Sequence, residues 1–364
     1  MKIKELIQYL ELVADPALQE SYDNSGLQCG QTDAEILAVM ICLDITEEVL
    51  DEAIEKGCNL VISHHPLLFK ALKQITNQNM TARCITKAIK NNLTIYSAHT
   101  NLDNISHGVS FTMAEKLNLK NLKILRPLSA QLKKLVTFVP TDYADAVRTA
   151  MFEAGAGHIG HYDQCSFNLQ GEGTFRAGKE SNPFVGKMGQ QHHENETRIE
   201  MIMPAHVQKP VINAMIEKHP YEEVAYDIYP LENINAQFGA GLIGELENSM
   251  SPDLFLKNLK DKLRTNCIRH TSLPTQPIKR VALCGGAGSF LLNDAIHQKA
   301  DIFISADFRY HSFLEADKRI TIADIGHYES EQFAQDLLQQ LITRKFRTFA
   351  VHLTSIITNP VIYF

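Results

Sequence analysis

The 364-residue sequence contains no tryptophan, no C-x-x-C spacing and no apolar run long enough to cross a membrane. Its seven cysteines are scattered and odd in number, which argues against a disulfide framework or a closed structural zinc site. Free thiols in a reducing compartment fit better. The first residues form an amphipathic helical pattern and lack the apolar segment of a signal peptide. We therefore expect a soluble, cytoplasmic protein that does not enter a membrane.

A basic surplus is also absent, because 35 Lys and Arg stand against 42 Asp and Glu, a net charge of −7. Proteins that coat nucleic acid usually carry a positive excess, so a nucleic-acid partner is possible but not favoured. Hydrophobic residues make up 45% of the chain and charged residues 21%, as in ordinary globular proteins. The length predicts two or three domains.

Strand and helix patterns alternate in the first third of the chain and again in the last third. This alternation is typical of βαβ units around a mostly parallel sheet, so the fold class is predicted as α/β. The two ends are interpreted as halves of one α/β layer. The predicted helices are Lys4–Val13, Thr46–Lys56, Thr81–Asn91 and Ser330–Ile342, and the predicted strands include Glu35–Leu43, Asn59–Ser63, Thr94–Ala98 and Val351–Ile356.

The middle third repeats a strand–helix–strand pattern. Pro140 and Pro204 each end a predicted strand, and a methionine in a similar setting follows each proline by eleven residues. Two such halves predict a small ferredoxin-like domain, with chance similarity as the alternative. The polar stretch Gly171–Asn195 between them is expected to be a long loop, and its His192-His193-Glu194 a solvated segment.

Side chains of metal-binding type follow three of the predicted strands. His64-His65 comes directly after an apolar strand, and Asp103 follows the next one. His327 and Glu331 follow a third strand and, at a spacing of four, share one face of a helical turn. A local hydrogen bond or a helix cap is the alternative for each cluster taken alone. Because ligands collect at the carboxyl ends of strands, we expect the three clusters to meet at equivalent strand ends of one sheet.

Imidazole and carboxylate groups suit zinc, iron, manganese, cobalt or nickel. Five ligands are too many for one open catalytic zinc and suit two ions bridged by a carboxylate, for which Glu331 is the candidate. Two such ions would lower the pKa of a shared water and create a hydroxide nucleophile. His99 and His311 are candidate catalytic proton donors, with loop hydrogen bonding as the alternative. The glycine turn at 285–289 is a candidate anion cradle.

Seven short motifs occur in one order along the chain, and together they make it resemble the family of GTP cyclohydrolase I type 2 homologues, or NIF-three-like family. Tyr22 stands where that family usually has tryptophan, and Ser305-Ala306 replaces its usual Thr-Gly. The motifs are SYDNSGL at 21–27, SHHPL at 63–67, HTNLD at 99–103, GGAGS at 285–289, SADFRYH at 305–311, GHYESE at 326–331 and TNP at 358–360.

The resemblance implies a two-lobed α/β metal-binding domain with a ferredoxin-like insertion related to PII or CutA proteins. The first lobe is then 1–130, the insertion 131–234 and the second lobe 235–364. Family members form ring-shaped hexamers, so a homohexamer is expected. The resemblance also implies two divalent ions per chain, most readily zinc or iron, held by His64, His65, Asp103, His327 and Glu331.

Three functions are compatible with this family. The first is hydrolysis of a nucleotide or another small phosphorylated compound; the family name implies that the hydroxide attacks C8 of guanine, and ring opening then releases formate. The second is a metal-loaded ring that binds nucleic acid or a protein partner without turnover. In the third, the ions only tie the two lobes together. The hydrolase is the main hypothesis, and the sequence does not identify its substrate.

Overall fold

The computed structural model describes residues 1–129, 131–235 and 237–364, which form two compact units. The first unit combines Met1–Pro127 with Ala236–Phe364, and the second is Leu128–Asn235. No helix in the described residues is long and apolar enough to cross a membrane. The assignment of these units to family lobes and an insertion stays a prediction.

Helices and strands alternate in the first 127 residues, as the sequence predicts. The caps follow from the sequence, since the side chains of Thr46 and Asn79 accept backbone hydrogen bonds at the starts of two helices. The elements are α1 (Ile3–Val13), β1 (Gly26–Cys29), β2 (Ala38–Cys42), α2 (Glu47–Glu55), β3 (Leu60–Ser63), α3 (Met80–Lys90), β4 (Thr94–Ser97), α4 (Thr100–Asp103), α5 (Val109–Lys116) and β5 (Lys120–Pro127).

The second unit has the element order β-α-β-β-α-β, in a four-stranded antiparallel sheet with the strand order β7-β8-β6-β9. This is the element order of ferredoxin-like folds. Both helices pack on one face of the sheet, around Leu135, Met151 and Met215. The elements are β6 (Leu132–Pro140), α6 (Ala144–Glu153), β7 (Phe167–Arg176), β8 (Gln191–Pro204), α7 (Gln208–Lys218) and β9 (Tyr226–Leu231).

The prediction of a long loop over Gly171–Asn195 is wrong at both ends of that range, where the structure has strands. Strand β7 continues to Arg176 and β8 begins at Gln191, so His192-His193-Glu194 lies in a strand. The two strands pair without interruption from Phe167 opposite Glu200 to Arg176 opposite Gln191. Apart from Phe175, the side chains in this part of the hairpin are polar or absent, so backbone pairing forms the strands where hydrophobic alternation gives no signal.

The last part of the chain returns to strand–helix alternation. The predicted helix Ser330–Ile342 is divided between two helices, His327–Glu331 and Ala334–Lys345. The buried apolar residues at helical spacing, Ala334, Leu338 and Ile342, all belong to the second helix. The elements are β10 (Gly239–Met250), α8 (Pro252–Leu263), β11 (Arg269–His270), β12 (Ile278–Leu283), α9 (Leu292–His297), β13 (Ile302–Ser305), α10 (Tyr310–Glu315), β14 (Thr321–Asp324), α11 (His327–Glu331), α12 (Ala334–Lys345) and β15 (Ala350–Leu353).

The ends of the chain form two sheets, and the prediction of a single layer is wrong. One sheet has the order β1-β4-β3-β2-β15 and the other β11-β14-β13-β12-β10-β5. Each sheet takes one strand from the other end of the chain: β15 pairs parallel with β2, and β5 pairs antiparallel with β10. This exchange holds the two ends of the chain in one compact unit.

Glu52 on α2 anchors the segment that follows β15. Its carboxylate accepts hydrogen bonds from the hydroxyl of Thr354, from the hydroxyl and backbone N–H of Ser355, and from Lys56 at 2.7 Å. Burial alone would raise the pKa of Glu52, but these hydrogen bonds outweigh it and lower the pKa to about 2. Ionised Glu52 therefore stabilises the folded state.

We expect Glu52→Gln to unfold more easily than the wild type by about 1–3 kcal/mol at neutral pH. A lowered carboxyl pKa gives stability that is complete above the ordinary value of 4.5 and lost as the pH falls towards 2. The difference between the two proteins should therefore shrink between pH 7 and pH 3 in urea unfolding. Glu55→Gln, on the exposed side of the same helix, is the control. An equal difference at both pH values would contradict this role.

Candidate metal centre

The residues predicted as metal ligands come together at the carboxyl ends of strands from both sheets. His64 and His65 follow β3, Asp103 lies on the short helix after β4, and His327 and Glu331 begin and end α11 directly after β14. The prediction that these strand ends belong to one sheet is wrong. Instead, the carboxyl edges of two sheets meet, which brings residues from both ends of the chain within hydrogen-bonding distance of each other.

His64 and Asp103 form one half of the cluster. The His64 side chain is fully buried, and its Nδ1 lies 2.8 Å from the carbonyl oxygen of Ala98. This contact fixes Nδ1 as a donor and leaves Nε2 facing the carboxylates of Asp103 and Glu331. His64 Nε2 and Asp103 Oδ1 are 3.7 Å apart, and within the described chain neither atom has a hydrogen-bond partner. A buried imidazole nitrogen and a buried carboxylate oxygen that face each other without a hydrogen-bond partner are atoms that a bound cation would satisfy.

His65, His327 and Glu331 form the other half. Glu331 Oε2 lies 2.9 Å from Nε2 of His65 and 2.9 Å from Nε2 of His327. Its second oxygen, Oε1, lies 3.9 Å from Nε2 of His64. Potential ligand atoms of His65, His327 and Glu331 lie within 4.8 Å of one another, and so do those of His64, Asp103 and Glu331. The buried Glu331 carboxylate is therefore shared by two groups of three.

Two further carboxylates orient the histidines from outside the cluster. Asp44 lies 2.7 Å from Nδ1 of His65, and Asp307 lies 2.7 Å from Nδ1 of His327. The hydroxyl of Thr358 donates in turn to Asp44. A carboxylate on Nδ1 directs Nε2 towards a metal and makes it a better ligand. The sequence prediction missed Asp44, although it directly follows the predicted strand Glu35–Leu43.

The electrostatics of the cluster depend on Glu331. Burial lowers the pKa of His65, but hydrogen bonds to Asp44 and Glu331 outweigh it and raise the pKa to about 10. Similar contacts with Glu331 and Asp307 raise the pKa of His327 to about 9. Burial would raise the pKa of Glu331, but hydrogen bonds from the histidines outweigh it and hold the pKa well below the ordinary range. An ion bound here displaces protons from these imidazoles.

His99, predicted as a proton donor, lies beside the cluster. Its ring centroid is 5.3 Å from that of His64 and 5.4 Å from that of His65. The buried carboxylate of Asp23 lies 2.7 Å from His99 Nδ1 and also accepts hydrogen bonds from Thr100. These contacts hold the pKa of Asp23 far below its ordinary value even though burial opposes them. The ring is therefore fixed, with Nε2 left for another partner.

His311, the second predicted proton donor, lies exposed on α10 with its ring next to Tyr310. In the described chain it belongs to none of the groups whose ligand atoms lie close together. The structure therefore does not bring His311 together with the other predicted site residues, and its catalytic role stays a prediction. The neighbouring Asp307 does reach the cluster, through His327.

The glycine turn Gly285–Ser289 is not an open anion cradle. Backbone N–H groups of Gly285, Gly286 and Gly288 already donate to serine hydroxyls. The turn instead makes room for Glu331, because a Cβ on Gly286 would lie 2.1 Å from Oε1 of that residue. Gly286 also has a φ of +60°, which favours glycine. This prediction was wrong because spacing does not show which N–H groups are already bonded.

Two aromatic side chains, Tyr22 and Phe69, lie near His99. Tyr22 and Phe69 lie 6.4 Å apart between ring centroids, and Phe69 is 6.2 Å from the ring of His99. The exposed fractions of Tyr22 and Phe69 are 61% and 46%. Hydrogen bonds of Leu68 with Asn24 and Gln28 hold the segment that carries Phe69 against the segment that follows Tyr22. Two exposed aromatic side chains are thus held beside the candidate metal centre.

Comparison with known proteins identifies the family. The Duf34/NIF3 (NGG1p interacting factor 3) family matches residues 1–360. The chain belongs to this family. A curated relative from Bacillus subtilis, named GTP cyclohydrolase 1 type 2 homolog, is 40% identical over 94% of this chain and 91% of its own length. A relative with the same name from Halalkalibacterium halodurans is 40% identical over 98% of this chain and 97% of its length.

Solved structures agree with this assignment. A Bacillus cereus protein related to NIF3 is 38% identical, with a TM-score of 0.86 over 100% of this chain and 99% of its own. A Staphylococcus aureus protein is 30% identical, with a TM-score of 0.78 over 100% and 99%. The family resemblance and the α/β fold class inferred from the sequence are therefore confirmed.

Proposed function

We propose that the protein is a hydrolase that uses two divalent ions to act on a nucleotide or another small phosphorylated compound. One observation carries the proposal: the buried Glu331 carboxylate is shared by two groups of ligand atoms, and one group contains two buried polar atoms without a hydrogen-bond partner. Protein hydrogen bonds alone leave this arrangement unsatisfied. The residues that would hold the ions are His64, His65, Asp103, His327 and Glu331.

The donor set restricts the metal. Imidazole nitrogens and carboxylate oxygens suit zinc, iron, manganese, cobalt or nickel. Zinc or iron fits most readily a site in which most ligands are imidazoles. Cys284, in the neighbouring glycine turn, is buried, and burial together with the charge of Asp103 raises the pKa of its thiol. We therefore leave Cys284 outside the ligand set.

Each part of the site has a separate task in this proposal. Two divalent ions held by the five ligands would supply polarisation of substrate oxygens and activation of water. His99 holds a proton at Nε2 for transfer to or from the substrate, and the Asp23 carboxylate on Nδ1 keeps the ring in place. Tyr22 and Phe69 offer apolar ring surfaces next to His99 for a planar base. The name GTP cyclohydrolase 1 type 2 homolog, borne by the relatives, makes GTP the first nucleotide to test.

The test is to incubate metal-loaded protein with GTP and a panel of nucleotides and to measure formate and phosphate. We expect turnover by the wild type and a loss of about 10²–10⁴-fold in His99→Asn, because proton transfer contributes about that much. The exposed His297→Asn is a matched control. Formate would identify ring opening, and phosphate would identify phosphoester or anhydride hydrolysis.

Two bound ions with no product from any nucleotide would contradict turnover. That result would favour the alternative, a metal-loaded binding or regulatory protein that engages nucleic acid or a protein partner. The homohexamer implied by the family resemblance stays a prediction.

A further inference from the structure

The face of the second unit's sheet that is not covered by helices carries a hollow. On β8, Ile199 and Met201 point into the helix-covered core, so Glu196 and Arg198 point to the opposite face. Gly171 on β7 lies directly opposite Glu196, and a Cβ on Gly171 would meet no atom within 4 Å. Glycine inside a strand often marks the close approach of a ligand. A cavity of about 740 Å³ lies above this position, within the usual size range of small-molecule sites.

Aromatic rings form the walls of the cavity. Tyr221 lies 6.2 Å from Phe175 and 6.3 Å from Phe184 between ring centroids, at interplanar angles of 60° and 50°. Because the rings are inclined to one another and are not stacked face to face, they leave a space between them. Phe138 also lines the cavity, with the guanidinium of Arg198 5.9 Å from its ring centroid. Several ring faces therefore point towards one volume.

Glu196 brings an uncompensated negative charge to this volume. Its carboxylate accepts a hydrogen bond from the Tyr221 hydroxyl at 2.9 Å, and it forms no ion pair with any Lys, Arg or His in the described ranges. The carboxylate lies over Gly173, where a Cβ would approach within 2.2 Å of Oε2, so this glycine is needed for its position. A carboxylate beside aromatic faces is a good environment for an organic cation.

Two arginines also line the cavity, Arg176 and Arg198. Arg198 pairs with Glu200 at 2.8 Å, and the same carboxylate pairs with Lys134 at 3.0 Å. Arg176 alternates with Phe175 on β7, so its side chain points to the opposite face of the strand. The buried Nε of Arg198 has no hydrogen-bond partner in the part of the chain that is described. Because this atom is buried, it does not count among the groups that contact the ligand.

We propose that this hollow is a second ligand site, sharing no residue with the candidate metal centre, that binds a small organic cation with an aromatic or apolar body. The cationic nitrogen contacts Glu196, and the body lies over Gly171 between the rings of Phe175, Phe184 and Tyr221.

Calorimetric titration of the full-length protein with phenethylamine and with 3-phenylpropionate tests the charge preference. The two probes have similar bodies and opposite charges. We expect the amine to bind and the acid to bind at least about tenfold more weakly, because one ion pair within an aromatic site contributes at least that factor. Treatment with EDTA should leave amine binding unchanged. Equal or tighter binding of the acid, or no binding of the amine, would overturn the proposal.

Two variants locate the binding. Glu196→Gln keeps the acceptor for Tyr221 and should weaken amine binding about tenfold. Gly171→Leu places a large side chain in the hollow, at a position where a Cβ meets no atom within 4 Å, and should abolish amine binding. Glu217→Gln on α7, which is exposed on the helix-covered side, removes the same charge and should bind like the wild type. Unchanged amine binding in both site variants, with wild-type melting curves, would place the ligand elsewhere and refute this site.

Discussion

Glu331→Gln is expected to lower the metal content from two ions per chain to one or none and to reduce turnover at least about a thousandfold. The reason is that Glu331 reaches both halves of the cluster, with Oε2 at 2.9 Å from two imidazoles and Oε1 turned towards His64. Glutamine keeps the shape but removes the charge and one acceptor. Elemental analysis after dialysis against zinc, followed by the nucleotide assay, measures both effects.

The matched control for this substitution is Glu315→Gln, an exposed glutamate in the same compact unit. It should bind metal and turn over like the wild type. The pKa values of the two neighbouring imidazoles provide an independent test, because Glu331 raises those of His65 and His327. In the metal-free variant, NMR titration should show both histidines losing their protons at lower pH. A full complement of ions in Glu331→Gln would refute the bridging role.

Gly286→Ala is expected to disrupt the same centre without changing any ligand. A Cβ at this position would lie 2.1 Å from Glu331 Oε1 and 3.4 Å from the His327 ring. The carboxylate has to move, since the backbone N–H of Gly286 is tied to Ser330. We expect metal affinity to fall by about 10–100-fold, the usual effect of displacing a supporting group, and turnover to fall with it. Competition with a chromophoric chelator measures the affinity.

Gly57→Ala separates this steric effect from backbone strain. Gly57 also has a positive φ, +69°, but a Cβ there would meet nothing within 4 Å. Alanine should cost about 1 kcal/mol of unfolding free energy at either glycine through strain alone. Only Gly286→Ala should lose metal as well. If both variants bind zinc as tightly as the wild type, the glycine turn does not support Glu331.

Much of the local structure could be predicted from the sequence. The helices near residues 4–13, 46–56 and 81–91 and the strands that end before His64 and His99 lie close to their predicted positions. Short buried strands of the type LVIS, with polar residues directly after them, give a clear pattern. The same pattern led to all five predicted metal ligands, which the structure brings together at the meeting edge of two sheets.

Long-range pairing could not be predicted in the same way. Nothing in β5 or β15 shows that each strand joins the sheet formed mainly by the other end of the chain. The polar hairpin β7–β8 resembles a loop in composition because its strands are held by backbone hydrogen bonds. Asp23 and Asp44 were missed as partners of His99 and His65, because the contacts of a supporting carboxylate depend on the tertiary fold.

The most direct test of the two-metal proposal is a crystal structure of the zinc-loaded protein with anomalous diffraction at the zinc edge. We expect two peaks about 3.5–4 Å apart, one beside His64 and Asp103 and the other beside His65 and His327, with Glu331 in contact with both. A single peak, or zinc bound away from Glu331, would contradict the proposed centre.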